Sequence, residues 1–129
     1  MLQTVFCDDN PEELTHMARL MDRYRTERGF DCEYQTFSGG VELMAQLSQG
    51  KRFDIYCLDI NMPGLSGIDV AKEIRSLDKT ALILFFTSSP DFALESYTVK
   101  ADNYILKPVT WEKFCSAFDD LQEQMDREG

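Results

Sequence analysis

Phe53-Asp54-Ile55-Tyr56-Cys57-Leu58-Asp59 decides the architecture. Ile55, Tyr56, Cys57 and Leu58 form an apolar run without polar alternation, so both faces of the segment are buried. A central strand of a parallel sheet has this pattern, whereas a strand with one wet face alternates. The run stops on the carboxylate of Asp59, and Met62-Pro63-Gly64-Leu65-Ser66-Gly67 follows as a loop. Ala81–Thr87 repeats the pattern, closing on a hydroxyl before Ser88-Ser89-Pro90 breaks it. Between the two runs, Ile68–Leu77 is a helix with Ile68, Val70, Ala71 and Ile74 inward.

The same alternation extends outward. Leu2–Cys7 is a strand. Asn10 caps the next helix, Pro11 suits its first turn, and Gly29 stops it after Arg28. Phe30–Phe37 is a half-buried edge strand, with Cys32, Tyr34 and Thr36 alternating against Glu33 and Gln35. Val41–Gln49 is a helix with Val41, Leu43, Met44 and Leu47 inward, ended by Gly50. Asp91–Val99 is a short helix, Asp102–Leu106 the last strand, and Thr110–Met125 the last helix, capped by Thr110. Residues 1–125 therefore form one domain, and Asp126–Gly129 is expected to be a tail or the start of a linker. Strands and helices in strict alternation make right-handed βαβ units around a parallel sheet, an α/β doubly wound fold.

Composition narrows the function. The 129 residues carry a net charge of -10, with one His and four Cys. So acidic a domain does not grip a phosphate backbone, and no direct nucleic-acid binding is expected. No apolar run approaches the ~20 residues of a membrane span, and the N-terminus lacks the basic region of a signal peptide, so a cytoplasmic protein is expected. No cysteine pair has CxxC spacing, which disfavours zinc, and Cys7 and Cys57 fall in apolar runs as small buried hydrophobes. His16 is expected simply to face out from a helix.

Open parallel sheets place their sites beyond the carboxyl ends of the strands. There the first strand ends in Asp8-Asp9, the third in Asp59 and the fourth in Thr87, and the fifth runs into Lys107-Pro108. Alone, an Asp-Asp pair is usually a solvated helix start and a strand-end Asp a turn residue. Together they put three carboxylates, a hydroxyl and an ammonium around one point. Converging carboxylates repel one another, and Mg²⁺ with oxygen ligands relieves that repulsion. An acid cluster with a metal, a lysine and a hydroxyl around one carboxylate nucleophile are what phosphoryl transfer to an aspartate needs.

These residues resemble the receiver domains of two-component response regulators, over essentially the whole chain. Leu58-Asp59-Ile60-Asn61-Met62-Pro63-Gly64-Leu65-Ser66-Gly67 is similar to that family's phosphoacceptor segment, and Asp8-Asp9, Thr87 and Lys107-Pro108 fall at its other motif positions. The resemblance implies a flavodoxin-like five-stranded sheet of order 2-1-3-4-5 with five helices. It implies that Asp59 accepts a phosphoryl group from a histidine kinase. Asp9, Asp59 and the backbone carbonyl of Asn61 would hold Mg²⁺, with Asp8 acting through water. Lys107 would pair with Asp59 and then with the phosphoryl group, across a cis Lys107-Pro108 bond. Thr87 and Tyr104 would be the switch residues, Asn61 and Ser89 would tune phosphate lifetime, and the small Ser88 would leave the site accessible. Phe85–Tyr97 and Ala101–Val109 resemble receivers that precede LytTR-type DNA-binding domains. An output domain is therefore expected elsewhere in a longer protein, a stand-alone receiver being the alternative. A homodimer through the fourth helix, fifth strand and fifth helix is a further implied partner.

Competing functions fit less well. A flavodoxin-like flavin binder wants a phosphate-cradling loop where Asp8-Asp9 stands, and an aspartyl-phosphate phosphatase wants a second acid where Asn61 stands. A degenerate receiver that only binds a partner would not need the full set of residues.

Overall fold

The computed structural model describes residues 1–128. The elements run β1 Leu2–Cys7, α1 Pro11–Arg28, β2 Cys32–Phe37, α2 Gly40–Ser48, β3 Ile55–Leu58, α3 Gly67–Leu77, β4 Leu82–Thr87, α4 Ala93–Thr98, β5 Asn103–Leu106 and α5 Trp111–Glu128. The five strands are parallel in the order β2-β1-β3-β4-β5. Chain order reverses between β1 and β3, so the crevice of the sheet opens where Cys7 pairs with Leu58.

The caps anticipated from sequence form. Asn10 Oδ1 accepts the Glu12 N–H at 3.0 Å, Gly29 closes α1 at φ 61°, and Thr110 Oγ1 accepts the Lys113 N–H at 3.2 Å. Ser66 also caps α3 by accepting the Asp69 N–H. The sheet buries one core on each face. On one side α1 and α5 close over Phe6, Cys57, Leu84 and Phe86, with Tyr24 edge-on to Phe30 and Phe114 and with Phe114 stacked on Phe118 at 4.6 Å. On the other, α2 and α3 cover Val5, Tyr56, Leu58, Ile83 and Phe85.

Several expectations are corrected. Val41 is exposed, because α2 turns Gly40, Leu43 and Leu47 inward instead. Gly40 packs so tightly that an added Cβ would lie 2.9 Å from Val70 Cγ2. Thr36, expected to be half-buried, is exposed on the edge strand. Helix α5 continues through Asp126 and Arg127 to Glu128, across most of the expected tail, while Gly129 lies outside the described residues. All four cysteines are buried free thiols, and desolvation first, then the charge of Asp8, pushes Cys7 up to about 12. Among the described residues no helix is long and apolar enough to cross a membrane.

The short α4 has no side-chain N-cap bond, and its C-terminus is held from outside. The Arg75 guanidinium donates to the carbonyls of Val99 at 2.8 Å and Lys100 at 2.9 Å, and also to Ala81. Asp102 balances its charge at 3.6 Å. The helix then closes on Lys100 at φ 55°, with Ala101 N–H returning to Ser96 O. A left-handed helix terminus favours glycine, since a Cβ there meets the neighbouring carbonyl. Lys100→Gly is therefore expected to raise unfolding stability by about 1 kcal/mol, read by urea titration. Unchanged or lower stability would mean that the left-handed terminus carries no strain.

Candidate functional site

The parallel register carries the chain ends of four strands to one rim. Asp8 and Asp9 follow β1 and Asp59 follows β3, and one carboxylate oxygen from each lies within 4.8 Å of the others. Asp8 and Asp59 are buried, at 6% and 7% exposure, and Asp9 is exposed. The loop beyond β5 supplies Lys107, positioned by its own N–H donating to the Thr87 carbonyl at 2.8 Å. The Lys107-Pro108 bond is cis, as expected.

The ammonium of Lys107 is shared. It donates to Asp8 Oδ2 at 2.7 Å and lies 3.7 Å from Asp59 Oδ1 and 4.0 Å from Glu13 Oε2. Asp8, rather than the expected Asp59, is thus its closest partner. Burial alone would lower the pKa of Lys107, but the bond to Asp8 and the charges of Asp59, Asp8 and Glu13 outweigh it and raise the pKa. Asp59 moves up too, to about 6, first through desolvation and then through Asp8 and Asp9, against the opposing charge of Lys107. One ammonium therefore leaves the acidic cluster under-compensated. A hard divalent cation suits this donor set, because carboxylate oxygens in close array meet its preference and its charge relieves their repulsion.

Thr87 is fully buried, and its Oγ1 accepts the Ser89 N–H at 3.3 Å. The Ser89 carbonyl in turn accepts the Tyr104 hydroxyl, and that hydroxyl accepts the Phe92 N–H at 3.3 Å. The half-buried Tyr104 ring packs edge-on against Phe85, with centroids 6.3 Å apart. Tyr104 therefore ties down the loop between β4 and α4, which is more than strand-end packing. Asn61 and Ser88 are exposed beside the rim, and Ser89 is half-buried. His16 is an exposed helix-face residue whose Nε2 donates to the Val109 carbonyl at 2.7 Å.

Sequence reasoning missed two contributors. Gly67 N–H donates to the Ile60 carbonyl at 2.9 Å, and a Cβ on Gly67 would stand 2.1 Å from the Asp59 carbonyl oxygen. No side chain fits there without displacing Asp59. Glu13 was invisible as a neighbour of Lys107, since the two are brought together only by tertiary packing.

The family described as "Response regulator receiver domain" matches residues 5–119. The chain is 32% identical over 116 residues to the positive alginate biosynthesis regulatory protein of Pseudomonas aeruginosa, covering 90% of this chain and 45% of that protein. It is 33% identical over 127 residues to the sensory transduction protein LytT of Enterococcus faecalis, covering 96% and 49%. The chain thus spans about half the length of these curated relatives. Its fold superposes on the response regulatory domain of protein mrkE from Klebsiella pneumoniae with a TM-score of 0.86 at 23% identity, covering 98% of this chain and 99% of that one.

The raised pKa of Asp59 has a thermodynamic consequence. Between its unfolded value near 3.8 and its folded value of about 6, the folded state holds the extra proton. Stability from this group is therefore present at low pH and is lost as pH rises through that window. Asp59→Asn removes the penalty, so in the presence of EDTA it is expected to raise stability at pH 7 by about 2 kcal/mol and to give no gain near pH 4. Thermal unfolding at the two pH values checks this, and equal effects at both would contradict the assigned environment of Asp59.

Proposed function

Because this chain belongs to the response regulator receiver domain family, we propose that it is a phosphoryl-operated switch of two-component signalling with Asp59 as the acceptor. The observation that carries this reading is the buried Asp59 carboxylate, set among Asp8, Asp9 and Lys107 at the crevice of the sheet. A carboxylate oxygen of Asp59 attacks the phosphorus of a phosphohistidine on the kinase. A new P–O bond forms as the P–N bond breaks, and the imidazole leaves. With its folded pKa at about 6, Asp59 is mostly ionised at pH 7 and needs no general base. Lys107 is placed to exchange a carboxylate for a phosphoryl oxygen, since an ammonium has three donors and reorients readily. Asp9 and Asp59, with the Asn61 carbonyl, would hold Mg²⁺, and Asp8 would assist through water. When bound, the ion neutralises the acidic cluster and draws phosphoryl oxygens towards Asp59. The domain assists its own phosphorylation and slow hydrolysis, rather than turning over a separate substrate. Asn61, Ser88 and Ser89, at the open rim, set access to the acyl phosphate and so its lifetime.

The switch runs through one residue, Ser89. If Thr87 turns its hydroxyl to a phosphoryl oxygen, it releases the Ser89 N–H, while Tyr104 still holds the Ser89 carbonyl. Rearrangement of that loop moves α4, whose Leu94 and Tyr97 are each 83% exposed. This face, with β5 and α5, is where we place homodimer contacts. The output is regulation of transcription through a DNA-binding domain in the longer protein, consistent with the regulatory relatives.

Intact-mass measurement after incubation with Mg²⁺ and acetyl phosphate tests the reading. The expected result is one added phosphoryl group that requires Mg²⁺ and is absent from Asp59→Asn. An adduct that persists in Asp59→Asn would overturn the assignment.

A further inference from the structure

Glu13 occupies the third position of α1, three residues after the N-cap Asn10. In that position a glutamate ordinarily reaches back to the N–H of the N-cap residue, forming a capping box. Here the Asn10 N–H already donates to Asp8 Oδ1 at 2.9 Å. The displaced carboxylate of Glu13 lies instead beside Lys107, with Oε2 4.0 Å from Nζ, shielded from solvent and without a hydrogen-bond donor. A shielded carboxylate oxygen without a donor is costly, so this arrangement persists only where a nearby cation compensates. Lys107 is that cation.

We propose that Glu13 is a positioning residue for Lys107, a role that rests on the phosphoryl-acceptor reading above. Of the three carboxylates around the ammonium, Asp8 and Asp59 also belong to the cation-binding cluster, whereas Glu13 does not. Once a divalent ion draws on Asp8 and Asp59, Glu13 is the partner that remains to Lys107. It keeps the ammonium at the rim while its other donors turn to the phosphoryl oxygens. The pairing is also economical of structure: one backbone N–H taken by Asp8 both fixes that ligand and frees Glu13 for the lysine.

The test uses Glu13→Gln, which keeps the shape and removes the charge, and Glu12→Gln, which removes the same charge from an exposed neighbour outside the site. The first readout is the ¹⁵N–¹H signal of the Lys107 ammonium, assigned by its loss in Lys107→Arg. Without Mg²⁺ the signal is expected in wild type and in both variants, because Asp8 holds the ammonium. With Mg²⁺ it persists in wild type and Glu12→Gln and broadens away in Glu13→Gln, as water exchange takes over. The second readout is the rate of phosphorylation by acetyl phosphate, expected to fall about 5-fold in Glu13→Gln alone, the scale of one partly shielded ion pair. Identical ammonium spectra in wild type and Glu13→Gln in the presence of Mg²⁺ would overturn the proposal. So would a faster reaction in Glu13→Gln, which would make Glu13 only a repulsive charge, or an equal loss in Glu12→Gln. If wild type takes up no phosphoryl group, the acceptor reading fails, while the ammonium spectra still decide whether Glu13 holds Lys107.

Discussion

Everything at the rim follows from placing carboxylates where the sheet gives them little water. Asp59 ends a strand buried on both faces, so its charge must be compensated by neighbours rather than by solvent. The neighbours supplied by the fold are mostly of the wrong sign: Asp8 and Asp9 come with β1 because β1 and β3 are paired in register. A single ammonium at 2.7 Å from Asp8 and 3.7 Å from Asp59 offsets part of the repulsion. The remainder appears as the upward shift of Asp59. A site in this condition gains from any added cation, and then from an anion that the cation and Lys107 can share.

Thr87 is buried at the end of a central strand and spends its hydroxyl on the Ser89 N–H, while Tyr104 grips the carbonyl of the same residue. Thr87 and Tyr104 thus hold the two peptide groups that flank the Ser89 Cα, without a chain of loose side chains. At the far end, α4 is clasped by Arg75 and closed on Lys100. Its N-terminal end has no side-chain cap bond of its own, and the Phe92 N–H there is held by the Tyr104 hydroxyl.

Much of this was legible in the sequence. Parallel strands buried on both faces leave continuous apolar runs, and Ile55–Leu58 and Leu82–Thr87 stand out for that reason. Their ends are sharply marked by Asp59 and Thr87, which is why the rim residues could be named before their distances were known. What was not legible depends on packing between distant segments. Val41 obeys the apolar pattern yet faces out, because Gly40 brings α2 close to Val70 and Leu65 and fixes which stripe turns inward. The choice of Lys107 for Asp8 over Asp59 is a matter of an ångström, set by how the loop after β5 is pinned to Thr87. Met125 marked the last apolar position of α5, but the helix continues for another turn through residues without an apolar pattern.

Glu13 shows how local and tertiary rules compete at such a site. Local chemistry assigns its carboxylate to the Asn10 N–H, in a motif that would satisfy both residues within one helical turn. Asp8 wins that N–H because it precedes the N-cap Asn10 by two residues and is already fixed by the end of β1. The cost falls on the helix terminus, which relies on the Asn10 side chain to cap the Glu12 N–H. The gain falls on the rim, where an acid outside the cluster of Asp8, Asp9 and Asp59 is left 4.0 Å from the Lys107 ammonium. A helix start that breaks its own capping pattern to supply a charge elsewhere is best understood as part of the site it faces.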